Sequence, residues 1–146
     1  MAFSPDPLDR VIALWPTEGR VEGHCDGIKG EASVGELAMV SQPDLPHSSR
    51  SEELSVTSLL LDPTVVASVA AGVPYGHASS TLRFDDFRPV SDASARLWMS
   101  TVSYVKNSVL AHDAMTTPLV IGHASRLLAA VTLSAFPSST RAEESH

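Results

Sequence analysis

The stretch LRFDDFRPVSDASARLWMSTVSYVKNSVLAHDAMTTPLVIGHASRLLAAVTLSAFP, residues 82–137, decides the fold, because two helices can be read in it from local chemistry. Ser91 stands just before Asp92 and Ser94, where a side-chain oxygen accepts from the free amides of a first turn, and Pro89 disfavours an earlier start. Trp98, Val102, Val105 and Val109 then recur at spacings of four, three and four, on one stripe of a helix ending near Ala111. The second helix follows Thr116 and Thr117, takes Pro118 in its first turn, and carries Ile121, Ala124, Leu128, Val131 and Ala135 to a stop at Pro137. The short connection 112–117 predicts an antiparallel helical hairpin.

Outward from this stretch, the N-terminal part reads as short strands. Residues 10–15 are rich in Val, Ile and Leu, and Pro16 with Gly19 marks a turn after them. Residues 20–25 and 28–33 flank Asp26-Gly27, a pair suited to a tight hairpin turn. Gly35 opens a strand over 36–40, closed by the proline-bearing SQPDLPH at 41–47. In 54–61, Leu54, Val56, Ser58 and Leu60 share one face, and Ser55, Thr57, Leu59 and Leu61 the other. A small helix follows, with Asp62 as cap, Pro63 at its first position, Val65, Val66 and Val69 as its apolar side and Gly72 as terminator. Residues 82–87 form a last strand. The pattern predicts an α+β fold: an antiparallel β-barrel or sandwich followed by a C-terminal helical hairpin.

FRPVSDASARLWMSTVSYV and TTPLVIGHASRLLAAVTLSAFP together resemble the helical end of the regulatory domain in AraC-type bacterial transcription regulators. GEASVGELAMVSQPDLPHSS followed by SVTSLLLDPTVVASVAAG is similar to the cupin-like sensory half of the same family. The resemblance covers about residues 10–137. It implies a cupin-like sensory barrel over 1–90 and a dimerising helical hairpin of the same domain over 91–137; the polar tail SSTRAEESH, 138–146, is expected to be disordered. The implied function is that of an effector-binding and dimerisation domain. Its partners would be a small-molecule effector and a second subunit, either another copy or a full-length relative. The family pattern continues into a DNA-binding domain of two helix-turn-helix units, which these residues lack.

The same resemblance implies that His47 lies near a barrel mouth, and His24 and His47 are the candidate effector contacts. His24, Asp26 and Glu31 invite comparison with the His and Glu ligands of cupin enzymes, but Asp26 stands where a second His belongs, in a turn-forming Asp-Gly pair. No metal, no cofactor and no enzymatic activity are therefore expected; the alternative, a stand-alone cupin-type isomerase or dioxygenase, requires a bound metal or turnover. No glycine-rich phosphate loop is present, since the glycines at 23, 27, 30 and 35 do not open a helix.

Composition agrees with one domain of 146 residues. Ten Lys and Arg against seventeen Asp and Glu give a net charge of -7, the wrong sign for a phosphate-binding surface, so no direct nucleic-acid binding is expected. Arg83, Arg88 and Arg96 lie among Asp85, Asp86 and Asp92. The one cysteine, Cys25, reads as a half-buried strand residue in a reducing compartment, with no lysine or helix N-terminus nearby to activate it. The start, MAFSPDPLDR, does not resemble a signal peptide, and no apolar run approaches a bilayer span, so a cytoplasmic location without membrane contact is expected.

On the helices, Trp98, Val102, Val105, Val109, Leu127, Leu128 and Val131 are candidates for core or dimer contacts. Leu97, Tyr104, Leu110 and Leu133 widen the apolar surface, His112 suits a helix C-terminus, and His123 is a packing or interface candidate. If the Trp98 ring is in the core, Trp98→Ala should cost about 3–5 kcal/mol in a denaturant titration. An unchanged melting temperature would place the ring on the surface.

Overall fold

The computed structural model describes residues 2–3, 10–42, 47–78, 80–109 and 117–142. Its spine is a pair of 15-residue antiparallel strands, β2 (Val11–Cys25) and β5 (His47–Leu61). β1 (Ala2–Phe3) pairs with β5; β3 (Ile28–Ala32) and β4 (Ala38–Met39) both pair with β2. The order β1-β5-β2-β3 makes one five-stranded sheet with β4 off the path. A second, two-stranded sheet joins β6 (Ser80–Phe84) to β7 (Ser138–Ala142). Among the described residues the strands do not close into a barrel, which corrects the expected barrel while keeping the α+β class with antiparallel sheets and three α-helices.

The departure begins at Pro16 and Gly19. They do not turn the chain; β2 absorbs them as two register irregularities against β5, between Pro16 and Glu18 and between Glu18 and Arg20. Gly19 has φ 74, and a Cβ there would fall on the Glu52 carbonyl, so the irregular strand needs this glycine. The expected two short strands thus become one long one. The Asp26-Gly27 hairpin forms as read, with φ 53 and 75 at its centre, the signs of a type I′ turn. The strand expected over 36–40 shrinks to β4, and β5 begins at His47, ahead of the expected 54. Residues 43–46 of the proline loop lie outside the described residues.

The helices start where the sequence places them. α1 (Pro63–Ala71) is capped by Asp62, whose carboxylate accepts from the Thr64 N–H at 2.8 Å, and ends at a left-handed Gly72. α2 (Asp92–Tyr104) is capped by the Ser91 hydroxyl, and α3 (Pro118–Ala135) by the Thr117 hydroxyl. Beyond Tyr104 the first hairpin helix widens into one π-helical turn, Val105–Val109. Leu110, Ala111 and His112 lie outside the described residues.

α3 is 18 residues long with mean hydropathy 1.3 and one charged residue, Arg126, so by length and composition alone it is apolar enough to cross a membrane, contrary to the expectation from sequence. Its C-terminal half is instead part of the core: Ala129, Val131, Thr132 and Ala135 are buried. The hairpin is antiparallel. The Val90 N–H at the start of α2 donates to the Ala135 carbonyl at 2.7 Å, and Trp98 Nε1 donates to Thr132 Oγ1 at 3.1 Å.

One core joins these layers. Trp98, fully buried, stacks on Trp15 with ring centroids 6.4 Å apart, and Phe84 meets Phe136 edge-on at 6.4 Å. Met39, Phe87, Val11, Val66 and Leu61 fill the remaining space, and Leu59 packs against the same cluster while Leu60, on the opposite face, is exposed. The tail expected to be disordered contributes β7, paired to β6 from Ser80↔Ala142 to Phe84↔Ser138. No apolar period announces that strand, because backbone pairing holds it, assisted by the Asp85 N–H donating to the Pro137 carbonyl at 2.8 Å. Residues 143–146 lie outside the described residues.

Gln42 ties the two sheets. It is buried, and its carboxamide accepts from the Phe84 N–H at 2.8 Å and donates to the Phe84 carbonyl at 2.6 Å. Gln42→Leu would strand both backbone groups without partners at about 1–3 kcal/mol each. A loss of about 3 kcal/mol or more in a denaturant titration is the expected outcome, and a loss below about 0.5 kcal/mol would disprove the tie.

Candidate functional site: an apolar helical face and a charged cleft

The N-terminal half of α3 turns no buried residue toward the core. Leu119 is 71% exposed and Leu127 46%, and between them, one turn from each, lies the exposed His123. Tyr104, 59% exposed at the end of α2, stands beside this row. A groove of about 320 Å³ runs between the helices, with Tyr104, Val105 and Val109 on one wall and Leu119, Val120, His123, Ala124 and Leu127 on the other. A second recess of about 410 Å³ lies on the opposite flank, lined by Val65, Tyr75, Pro118, Gly122, Ser125 and Arg126 together with Leu119 and His123. Leu119 and His123 therefore form a ridge between two grooves. Among the described residues no carboxylate lines either.

The stripe residues divide accordingly. Trp98, Val102, Val105 and Val131 are buried, Leu128 packs partly buried against the core, Val109 is half-buried in the groove wall, and Leu127 is exposed. Leu97 is exposed on α2, and Leu133 packs against the core. Burial of the first four follows from their position over the sheet. Leu119 stands in the first turn of α3, and Leu127, next to the core-packed Leu128, lies on the helix face turned away from the core.

The outer face of the β2–β3 hairpin is charged. Lys29 Nζ lies 2.9 Å from Glu22 and 3.6 Å from Glu31, Arg20 reaches Glu31 at 3.3 Å, and His24 Nε2 lies 3.4 Å from Glu22. The lysine hydrogen bond holds the Glu22 carboxyl below its ordinary range, and Glu22 in turn raises Lys29. His24 is thus on a solvated face in an ion-pair ladder. His47 opens β5 opposite Cys25, and its side chain is outside the described residues. The two candidate effector histidines are close in register, since His24 pairs with Ser48 and Cys25 with His47.

A cleft of about 480 Å³ continues from this ladder to the start of α2, lined by Arg20, Glu31, Glu36, Arg88 and Asp92 over a floor that includes Leu37 and Ala95. Glu36 is fixed by the Ser33 N–H at 2.8 Å. Arg88 pairs with Asp86 at 3.1 Å, and this guanidinium keeps the Asp86 carboxyl below its ordinary range. Glu36 did not stand out in the sequence, and Asp86 only as one of the carboxylates among Arg83, Arg88 and Arg96; the proximity of Arg20 to Arg88 comes only from folding the hairpin beside the start of α2.

Among the described residues no three His, Cys, Asp or Glu side chains converge as a metal site. Asp26, compared above with a cupin ligand, sits in the hairpin turn. Cys25 is buried, more deeply than the half-buried position expected, and its Sγ accepts from the Gln42 N–H at 3.3 Å. Burial pushes the thiol up, with the Gln42 hydrogen bond opposing. Iodoacetamide at about pH 8 should therefore label Cys25 on the order of 100-fold more slowly in the folded protein than in denaturant. Equal rates would mean that the thiol is accessible.

No protein-family model matches the sequence, and no curated protein matches it. Among solved structures, the fold is similar to the crystal structure of the AraC-like transcriptional activator CuxR, with a TM-score of 0.59 over 91% of this chain at 15% sequence identity. The match takes in 45% of that protein, so this chain spans less than half of its length. The likeness at this identity is one of fold, and it runs through both the strand-rich part and the helical hairpin.

Proposed function

We propose that this chain is the effector-binding and dimerisation domain of an AraC-type transcription regulator acting in the cytoplasm, with no catalysis and no nucleic-acid contact of its own. The observation that carries the reading is the apolar row of α3, Leu119 and Leu127 beside Tyr104, left exposed on a fold similar to an AraC-like activator. Large exposed apolar residues gathered on one face mark an interaction surface rather than random surface composition. A chain of net charge -7, with Arg20, Lys29 and Arg88 each paired to a carboxylate, offers little attraction to phosphates.

The effector half of the reading rests on the cleft at the start of α2. It presents both guanidinium and carboxylate groups over an apolar floor, an arrangement suited to a small molecule with polar ends of both signs. The inner face of the sheet, by contrast, is filled by Met39, Phe84, Phe87 and Trp98, all 1% exposed or less. The mouth of a barrel is thus replaced as the candidate site by a cleft beside an open sheet.

Sedimentation equilibrium at about pH 7.5 should give twice the 15.5 kDa chain mass. Leu119→Glu and Leu127→Glu should each weaken the dimer by about 30-fold or more, the scale of an interface hot spot of about 2 kcal/mol. A wild-type chain that stays monomeric at high micromolar concentration would overturn the dimerisation reading.

A further inference from the structure

We propose that the recess between Tyr75 and the first turns of α3 is a further ligand site, for a small carboxylate with a flat apolar body whose anion pairs with Arg126. The site lies apart from the charged cleft and goes beyond the reading above, holding whether or not the chain dimerises. The recess measures about 410 Å³; Val65, Tyr75, Pro118 and Leu119 give it apolar walls, and Arg126 is the lining side chain of permanent charge. Apolar walls with a few polar groups, at this size, are the ordinary make-up of a small-molecule site.

The walls are fixed by the chain itself. The Tyr75 hydroxyl donates to the Asp62 carboxylate at 3.1 Å, and the next residue, Gly76, donates its N–H to the hydroxyl of the buried Ser68 at 3.1 Å. An exposed ring held at both ends offers a surface for stacking without an entropy cost of ordering it. Gly122 keeps the recess open. It lies inside α3 with ordinary helical backbone, where glycine is the least favourable residue after proline. A Cβ on it would meet nothing within 4 Å, so no packing contact requires the glycine. What its bare Cα provides is room in the recess wall.

Charge selects the ligand's class. Arg126 donates to the Val73 carbonyl at 3.4 Å, a bond to a neutral group, whereas Arg20 and Arg88 each reach a carboxylate, at 3.3 and 3.1 Å. The Val73 bond holds the side chain beside the segment that carries Tyr75 and leaves further N–H donors of the guanidinium fork for a ligand. A carboxylate matches that fork through two parallel hydrogen bonds. On a chain of net charge -7 a bound anion needs a local cation, and Arg126 is the one charged residue of α3. The apolar walls require the rest of the ligand to be apolar as well, which a bare phosphate or sulfate is not.

The test is isothermal titration calorimetry of the full chain with cinnamate, a flat aromatic carboxylate ionised at about pH 7.5, and with its neutral counterpart cinnamamide. The wild-type Kd for cinnamate should lie below about 1 mM, the scale for a ligand of its size, with cinnamamide about tenfold weaker. Arg126→Gln should weaken cinnamate about tenfold and leave cinnamamide within about twofold. Gly122→Leu, which fills the recess, should weaken both about tenfold or more. Circular dichroism checks that each variant is folded, and the probe pair on the wild-type chain, with Gly122→Leu, decides without the Arg126 variant. No cinnamate binding at about 5 mM, equal affinity for the two probes, or a cinnamate Kd unmoved in either variant overturns the inference. Cinnamate binding lost in Arg88→Gln but kept in Arg126→Gln belongs to the charged cleft and overturns it too.

Discussion

The carboxamide of Gln42 occupies the place that a strand backbone would take beside Phe84, accepting from its N–H and donating to its carbonyl. Among the described residues a second link joins the main sheet to the segment after β6: the Met39 N–H donates to the Phe87 carbonyl at 3.0 Å, beside Gly30. A Cβ on Gly30 would collide with the Met39 carbonyl and press on Phe87, so the close approach that allows this bond depends on that glycine. Gln42 also donates its own N–H to Cys25 at the end of β2. One buried residue thus fixes where β6 lies, and β6 carries Phe84 against Phe136 at the end of α3. The helical hairpin is positioned by the same contact that ties the two sheets.

The helices were legible because their ends are written in side chains that act locally. Ser91, Thr117 and Asp62 each accept from an amide two or three residues on, and Gly72 takes a left-handed conformation; none of these depends on distant residues. Asp26-Gly27 was legible for the same reason. Pro16 and Gly19 misled because the signals for a turn and for a bulge are alike, and the choice between them is made by β5 pairing along the whole of β2. β7 was illegible in SSTRA, since its order comes from a backbone partner more than fifty residues earlier. The cleft was illegible too. Arg20, Glu36 and Asp92 belong to three separate elements, and no local pattern records that they converge.

α3 shows how one helix divides between folding and contact. Read as a single stripe, Ile121, Ala124, Leu128, Val131 and Ala135 promise a uniform apolar face. The structure fully buries only Val131 and Ala135 of that stripe; Leu128 packs partly buried against the core, and Ile121 and Ala124 are half-buried. Leu119 and Leu127, off that stripe, leave apolar area in water. An exposed apolar row on an acidic chain would suit contact with another surface under the proposed reading, and the ridge between two grooves would give that contact a shape.

α2 connects the two candidate sites. Its first turns, at Asp92 and Ala95, border the charged cleft, and its last residue, Tyr104, borders the groove, about 20 Å away for 13 residues of helix. Midway, Trp98 is clamped between Trp15 and Thr132. With the Val90 N–H donating to the Ala135 carbonyl at its start, α2 is held against α3 at two points, so the cleft and the groove lie at the two ends of one fixed element. Loosening it at the centre would leave a buried indole N–H unsatisfied.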